Sequence, residues 1–208
     1  MQVKEILNDQ TLNDAFNHLI EKEPLFKKVL EEKNYKINPF NKKKGFEGLI
    51  SLIVEQQLSV ASAKAIFNRI KKLIKPFTAR KFIEVKEADL KKAGLSFQKI
   101  NYCKGIANKI ISGDLNLKKL EKKSDSEVIE ELVKIKGIGE WTAKCYLLGC
   151  LKRIDVWPSS DLGLIVAIQK LKGMEERPKE LTIEEIAEPW SPYRSVAALL
   201  LWSTYDKE

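Results

Sequence analysis

Along almost the whole of this 208-residue chain, apolar residues recur every three or four positions, and nowhere do they alternate over the length of a strand. Phe16, Leu19 and Ile20 show the spacing, as do Phe46, Leu49, Ile50, Ile53 and Val54, then Ala61, Ala65, Ile66, Ile70 and Leu73, then Ile100, Ile106, Ile110 and Ile111. Only helices that bury one face satisfy such a period, so the chain is expected to be all-α. Local punctuation places the boundaries. Thr11 opens a first segment, which Pro24 divides. Residues 33–45 form a polar connector ending in Lys42-Lys43-Lys44, and a helix starts near Gly45. Ser59 and Ser96 are N-caps, and residues 80–93 read as one helix stopped by Gly94. Ser124 opens a helix into residues 126–134. Further helices are expected at 141–151, 162–171, 183–187 and 195–205, the last two separated by a bend from Pro189 to Pro192.

Composition narrows the partners. With 44% hydrophobic and 32% charged residues the chain belongs with soluble globular proteins. It has no apolar run near the ~20 residues of a membrane span, and Met1 to Glu5 does not open a signal peptide. Cys103, Cys145 and Cys150 lack metal-binding spacing, which predicts buried thiols in a reducing compartment. The net charge of +8 suits a polyanion, although a Lys- and Glu-rich surface of a heat-adapted protein carries a similar excess. The sole histidine, His18, has no partner motif beside it and reads as a surface residue without a role.

Chemistry concentrates between residues 132 and 161. Gly137-Ile138-Gly139 separates two helical stretches, and Thr142 follows in the first turn of the second. Helix N-termini present unpaired N–H groups that attract anions, and glycines let backbone approach a phosphate directly. Such a grip reads no base sequence. A Gly-x-Gly that merely joins two packed helices fits the same residues. Asp161 lies at the head of the next helix, with Ser159 or Ser160 as its cap. A carboxylate kept ionised there can stabilise an oxocarbenium ion or take a proton from water, while an acid at a helix start is ordinarily only a cap. Upstream, residues 56–59 form a corner between two helices with long side chains directed outward, which suits a solvated turn equally.

Taken together, these segments resemble the helix-hairpin-helix, Gly/Pro-rich loop and Asp signature of a DNA glycosylase superfamily. Within it the chain is similar to the 3-methyladenine DNA glycosylase II (AlkA-type) branch. The matching residues are Phe46 and Leu49, Gln56-Gln57-Leu58-Ser59 with Ala61 and Ala63, Gly94-Leu95-Ser96 with Lys99, and Ile135 to Ala143. Asp155-Val156, Pro158, Asp161-Leu162-Gly163, Trp190, Pro192 to Ser195, and Trp202 complete them.

The resemblance implies roles for particular residues. Asp161 matches the catalytic aspartate; Gly137, Gly139 and Thr142 match the phosphate contacts. Gln57 matches a wedge that enters the duplex where a nucleotide leaves, with Leu58 beside it. Trp141, Trp202 and Cys145 match positions lining the base pocket, though Cys145 stands where relatives carry a tyrosine; both tryptophans lie on strongly apolar helices and fit a core equally. Carbonyls of Val133, Ile135 and Ile138 match those that hold a structural sodium or potassium ion; no cofactor is required. Bifunctional members carry a Schiff-base lysine two positions after the second hairpin glycine. Here that position is Trp141, which implies base excision without strand cleavage. The expected architecture is two helical lobes flanking a DNA-binding cleft. Residues 46–152, with the hairpin at about 126–151, form one lobe, and residues 1–45 with 153–208 form the other. The expected partner is double-stranded DNA with alkylated purines, met by a monomer inside the cell, without a membrane. The family's N-terminal sheet domain has no matching strand pattern here. A glycosylase for hypoxanthine, an etheno adduct or an oxidised purine, and a non-catalytic hairpin module, are the alternatives.

Overall fold

A computed structural model describes residues 9–36 and 40–205. The opening residues 1–8 and positions 37–39 of the connector lie outside them. Every regular element of the described residues is a helix, so the all-α expectation holds. The chain separates into two compact units, one of Met1–Asn41 with Leu147–Glu208 and one of Lys42–Tyr146. Those divisions fall a few residues before the boundaries at 45/46 and 152/153 read from the sequence.

The first unit begins with α1 (Asp9–Lys22) and α2 (Leu25–Glu32), broken at Pro24. Ala15, Phe16 and Leu19 of α1 and Phe26, Val29 and Leu30 of α2 are buried. Thr11 is not the cap expected of it, because α1 already runs through it from Asp9.

In the second unit, α3 (Phe46–Glu55) is buried continuously from Gly48 to Val54. A helix that is apolar all round belongs at a centre, and α3 packs on both α4 (Val60–Leu73) and α7 (Phe97–Ser112). Ser59 and Ser96 cap α4 and α7 as their sequence predicts, each oxygen accepting from the N–H three residues on. Residues 80–93 are not one helix. They divide into α5 (Ala79–Glu84) and α6 (Glu87–Lys92), with Val85 and Lys86 extended between them. Apolar spacing runs unbroken through the division, so no local signal marks it. The bend lets both short helices lie on α7, and Phe82 and Leu90 become fully buried, which stabilises by roughly 1.5–3 kcal/mol each. The short α8 (Leu117–Leu120) follows, then α9 (Asp125–Val133), opened by a capping box of Ser124 and Glu127. The unit ends within α10 (Glu140–Gly149).

The first unit resumes there. α11 (Leu162–Lys172) packs on α13 (Arg194–Tyr205), which is buried from Ser195 to Leu201. Between them come α12 (Glu180–Ala187) and a 3-10 turn at Glu188–Trp190. Trp190 is buried edge-on against Phe26 (5.1 Å) and Trp157 (5.5 Å). All three cysteines are buried free thiols; burial pushes Cys103 up to about 12.

Candidate active site and hairpin

The segment leading to Asp161 is clamped onto the start of α13. Oδ1 of Asp155 accepts from Nε (2.7 Å) and the backbone N–H (3.2 Å) of Arg194, and Oδ2 accepts from Arg194 Nη2 (2.8 Å) and the Ser191 hydroxyl (2.9 Å). Burial pushes the Asp155 carboxyl up, but the hydrogen bonds and charge of Arg194, with the Ser191 hydroxyl, outweigh it and hold the group below its ordinary value. The hydrogen bonds that Arg194 donates to Asp155 raise the guanidinium in turn. One residue further along, Ser195 Oγ donates to the Arg153 carbonyl (2.7 Å) and accepts from Val156 N–H (2.8 Å).

Asp161 itself is the N-cap of α11, extended at φ −72° and ψ 120°. This corrects the expectation that Ser159 or Ser160 caps the helix: the Ser159 hydroxyl reaches Glu180 (2.9 Å) and Glu184 (3.0 Å) instead. Oδ1 of Asp161 accepts two hydrogen bonds, from Leu164 N–H and from Trp202 Nε1, each 2.9 Å. Trp202 is half-buried on α13, tilted against Phe40 at 5.2 Å. A carboxylate held this way is fixed in rotation.

In the second unit, residues 134–139 link α9 to α10. Gly137 has φ +93°, and a Cβ there would come within 2.3 Å of the Tyr102 ring. The fold therefore requires glycine at 137. Gly139 is different: its φ is ordinary and a Cβ would meet open space. The Thr142 side chain is not turned to solvent. Thr142 is 2% exposed, and its Oγ1 accepts from Gln56 Nε2 at 3.0 Å. What this residue offers an anion is the backbone N–H of a first helical turn.

The corner at 56–59 also departs from its expected form. Gln56 turns inward, with Nε2 donating to the Gly137 carbonyl at 2.9 Å as well as to Thr142. Gln57 and Leu58 do face solvent. Gln57 has φ +56°, a left-handed conformation that costs a non-glycine residue about 1–2 kcal/mol.

Trp141 is half-buried on α10. Lys144, the nearest lysine on that helix, pairs with Glu140 at 2.7 Å. Cys145 is fully buried, a core position rather than an open pocket wall. The carbonyls of Val133, Ile135 and Ile138 lie at the end of α9 and in the link; that of Ile135 accepts Ile138 N–H at 3.0 Å and keeps a second lone pair. Neutral carbonyls suit an alkali-metal ion, and the described residues hold no His, Cys, Asp or Glu cluster for another metal. His18 is tied structurally, with Nε2 donating to the Pro189 carbonyl (3.1 Å) and the ring edge-on to Tyr193. Residue spacing did not find the Asp155–Arg194 clamp or the contacts of Gln56 and Lys99, although all four lie within the matched segments.

Residues 50–192 match the model of the HhH-GPD superfamily base excision DNA repair proteins. DNA-3-methyladenine glycosylase 1 of Schizosaccharomyces pombe is 35% identical over 82% of this chain and 77% of its own. The DNA-3-methyladenine glycosylase of Saccharomyces cerevisiae is 30% identical over 94% and 80%. Among solved structures, the Schizosaccharomyces pombe 3-methyladenine DNA glycosylase in complex with abasic DNA superposes with a TM-score of 0.87 at 32% identity, covering 93% of this chain and 97% of that one. A Bacillus halodurans DNA-3-methyladenine glycosidase gives 0.76 at 31% identity over 93% and 89%. Among the described residues no helix is long and apolar enough to cross a membrane. The chain belongs to the helix-hairpin-helix-GPD superfamily of base excision DNA repair proteins.

Proposed function

We propose that this chain is a monofunctional DNA glycosylase that removes alkylated purines, of the 3-methyladenine and 7-methylguanine type, from double-stranded DNA. The observation that carries the reading is Asp161, a helix cap whose Oδ1 is pinned by Leu164 and Trp202, in a chain of this family. An N3- or N7-alkylated purine is cationic, so its glycosidic bond is weak and the base leaves without strong protonation. One fixed carboxylate suffices: it stabilises the sugar cation as the bond breaks, or orients water toward C1′. The products are the free base and an abasic site. Trp202, which donates to Asp161, brings an electron-rich indole to a cationic base, at about 0.5–2 kcal/mol.

Backbone amides at Gly137, Gly139 and Thr142 hold a phosphate, and Gln57 with Leu58 occupies the gap left by the everted nucleotide. An alkali-metal ion on the carbonyls of Val133, Ile135 and Ile138 would add positive charge beside that phosphate. With Trp141 at the position of the Schiff-base lysine and Lys144 engaged by Glu140, no amine is provided for strand cleavage. The protein acts as a monomer on DNA inside the cell. Incubation with methylated DNA, with chromatography of the released bases, is the test. Release of 3-methyladenine or 7-methylguanine is the expected result; DNA binding without release of any base would leave a non-catalytic hairpin module. A strand nick trapped by borohydride would sink the monofunctional assignment.

A further inference from the structure

The segment Gly94-Leu95-Ser96-x-x-Lys99 has no part in the chemistry above, yet its lysine makes an unusual commitment. Ser96 caps α7 and so fixes Lys99 in the first turn of that helix. From there the ammonium crosses to the end of α3 and donates to the carbonyls of Val54 (2.8 Å) and Gln56 (2.6 Å). Carbonyls in the last turn of a helix have no partner within it and lie at the negative end of the helix dipole. Leu58 N–H satisfies Glu55 at 3.2 Å, and Lys99 takes the carbonyls on either side of it. Burial pushes the Lys99 ammonium below its ordinary value, so the side chain gives up water to hold this place. A cation left in solvent would have served a phosphate directly.

The corner is also held from its other side. Gln56, whose carbonyl meets Lys99, sends its amide to the Gly137 carbonyl and the Thr142 hydroxyl of the hairpin. Three charge-bearing or polar groups thus converge on one residue, and the next residue is the strained Gln57 at φ +56°. Strain of this kind persists only where surrounding bonds over-determine the backbone. Without Lys99 the two helix-end carbonyls would lose their donor. Without the Gln56 amide the corner and hairpin would lose the bonds that fix their spacing. On a duplex, that spacing is the offset between the phosphate gripped by the hairpin and the point where Gln57 enters the stack.

We infer that Lys99 and Gln56 are positioning residues that lock the Gln57 corner onto the hairpin, so that gripping the backbone and filling the vacated stack become a single rigid action. The inference rests on the glycosylase reading. It concerns base eversion and not bond cleavage, which makes the two separable.

The test compares wild type with Gln56→Ala, Lys99→Met and Lys99→Arg, on 7-methylguanine in a duplex and in a single strand. A 2-aminopurine beside the lesion reports eversion in the duplex. Gln56→Ala and Lys99→Met are expected to lower duplex excision about 10-fold or more, and to abolish the 2-aminopurine rise. Single-strand excision should stay within about two-fold, because no stack has to be opened. Lys99→Arg, which keeps the charge and the donors, should restore most of the duplex rate. Full duplex activity and a normal fluorescence rise in both disruptive variants would overturn the inference. An equal fall on duplex and single strand, with a lower melting temperature, would overturn it too, by showing a fold-wide role. Wild type that releases no base from either substrate would instead sink the glycosylase reading itself.

Discussion

The indole N–H of Trp202 donates to Oδ1 of Asp161 at 2.9 Å, and the N–H of Leu164 donates to the same oxygen. One bond comes from a side chain 41 positions away and the other from the helix that Asp161 caps. Both bonds hold the carboxylate at Oδ1. Its rotation is set by α13, and its position by α11.

The cap that Asp161 provides and the chemistry proposed for it make two substitutions diverge. Asparagine caps helices about as well as aspartate and can keep both bonds to its oxygen, so Asp161→Asn should fold normally while base release falls about 100-fold or more. Alanine removes the cap as well and should cost about 1 kcal/mol of stability in addition. Thermal melting and base release, measured on both variants, check the pair; an active Asp161→Asn would remove Asp161 from the chemistry.

Trp202→Phe keeps an aromatic face and deletes only the donor. A hydrogen bond to a charged group is worth about 1.5–3 kcal/mol, or roughly 10–100-fold in rate if it is all expressed in the transition state. Single-turnover kinetics should show that loss, with DNA affinity changed much less. An unchanged rate constant would mean that the indole contributes its face and not its N–H.

The fold requires glycine at 137, and the proposed phosphate grip requires it at 139. Gly137→Ala forces a side chain into Tyr102 at φ +93°, and should destabilise the unit by several kcal/mol. Gly139→Ala meets open space, so the melting temperature should hold while DNA affinity drops, since the added methyl stands where the proposed phosphate contact is made. Binding and melting curves for both variants separate the effects. Undiminished affinity in Gly139→Ala would place the phosphate elsewhere.

Asp155 gives a pH signature. Its carboxyl is held below the ordinary value in the folded chain. The stability it supplies is therefore complete above the unfolded value of about 3.9 and is lost as pH falls through the lower folded value. Asp155→Asn should cost about 1–3 kcal/mol near neutrality. The gap between wild type and variant should stay level from pH 5 to 8 and narrow only in acid below about pH 4. Denaturant melts across that range measure it, and a gap that widened in acid would contradict the assigned direction.

Much of this protein was legible in its residues because the signals are local. Apolar spacing demands helices whatever they pack against, and Pro24, Ser59, Ser96 and Ser124 act on backbone within one turn of themselves. The matched segments likewise pointed to Asp161 and to the glycine hairpin. Other features depend on which distant segments meet. Spacing showed no break at Val85 and Lys86, because the bend exists to lay two short helices on α7. It sent Gln56 outward, because its acceptors lie 81 and 86 residues away. It left Asp161 without its indole donor and Lys99 without its carbonyls, the first bond spanning 41 residues and the others 45 and 43. A helix can be read from the chain that forms it. The orientation of the Asp161 carboxylate or of the Gln56-Gln57 corner is set by donors and acceptors on separate helices, and only packing decides which of them come within about 3 Å of each other.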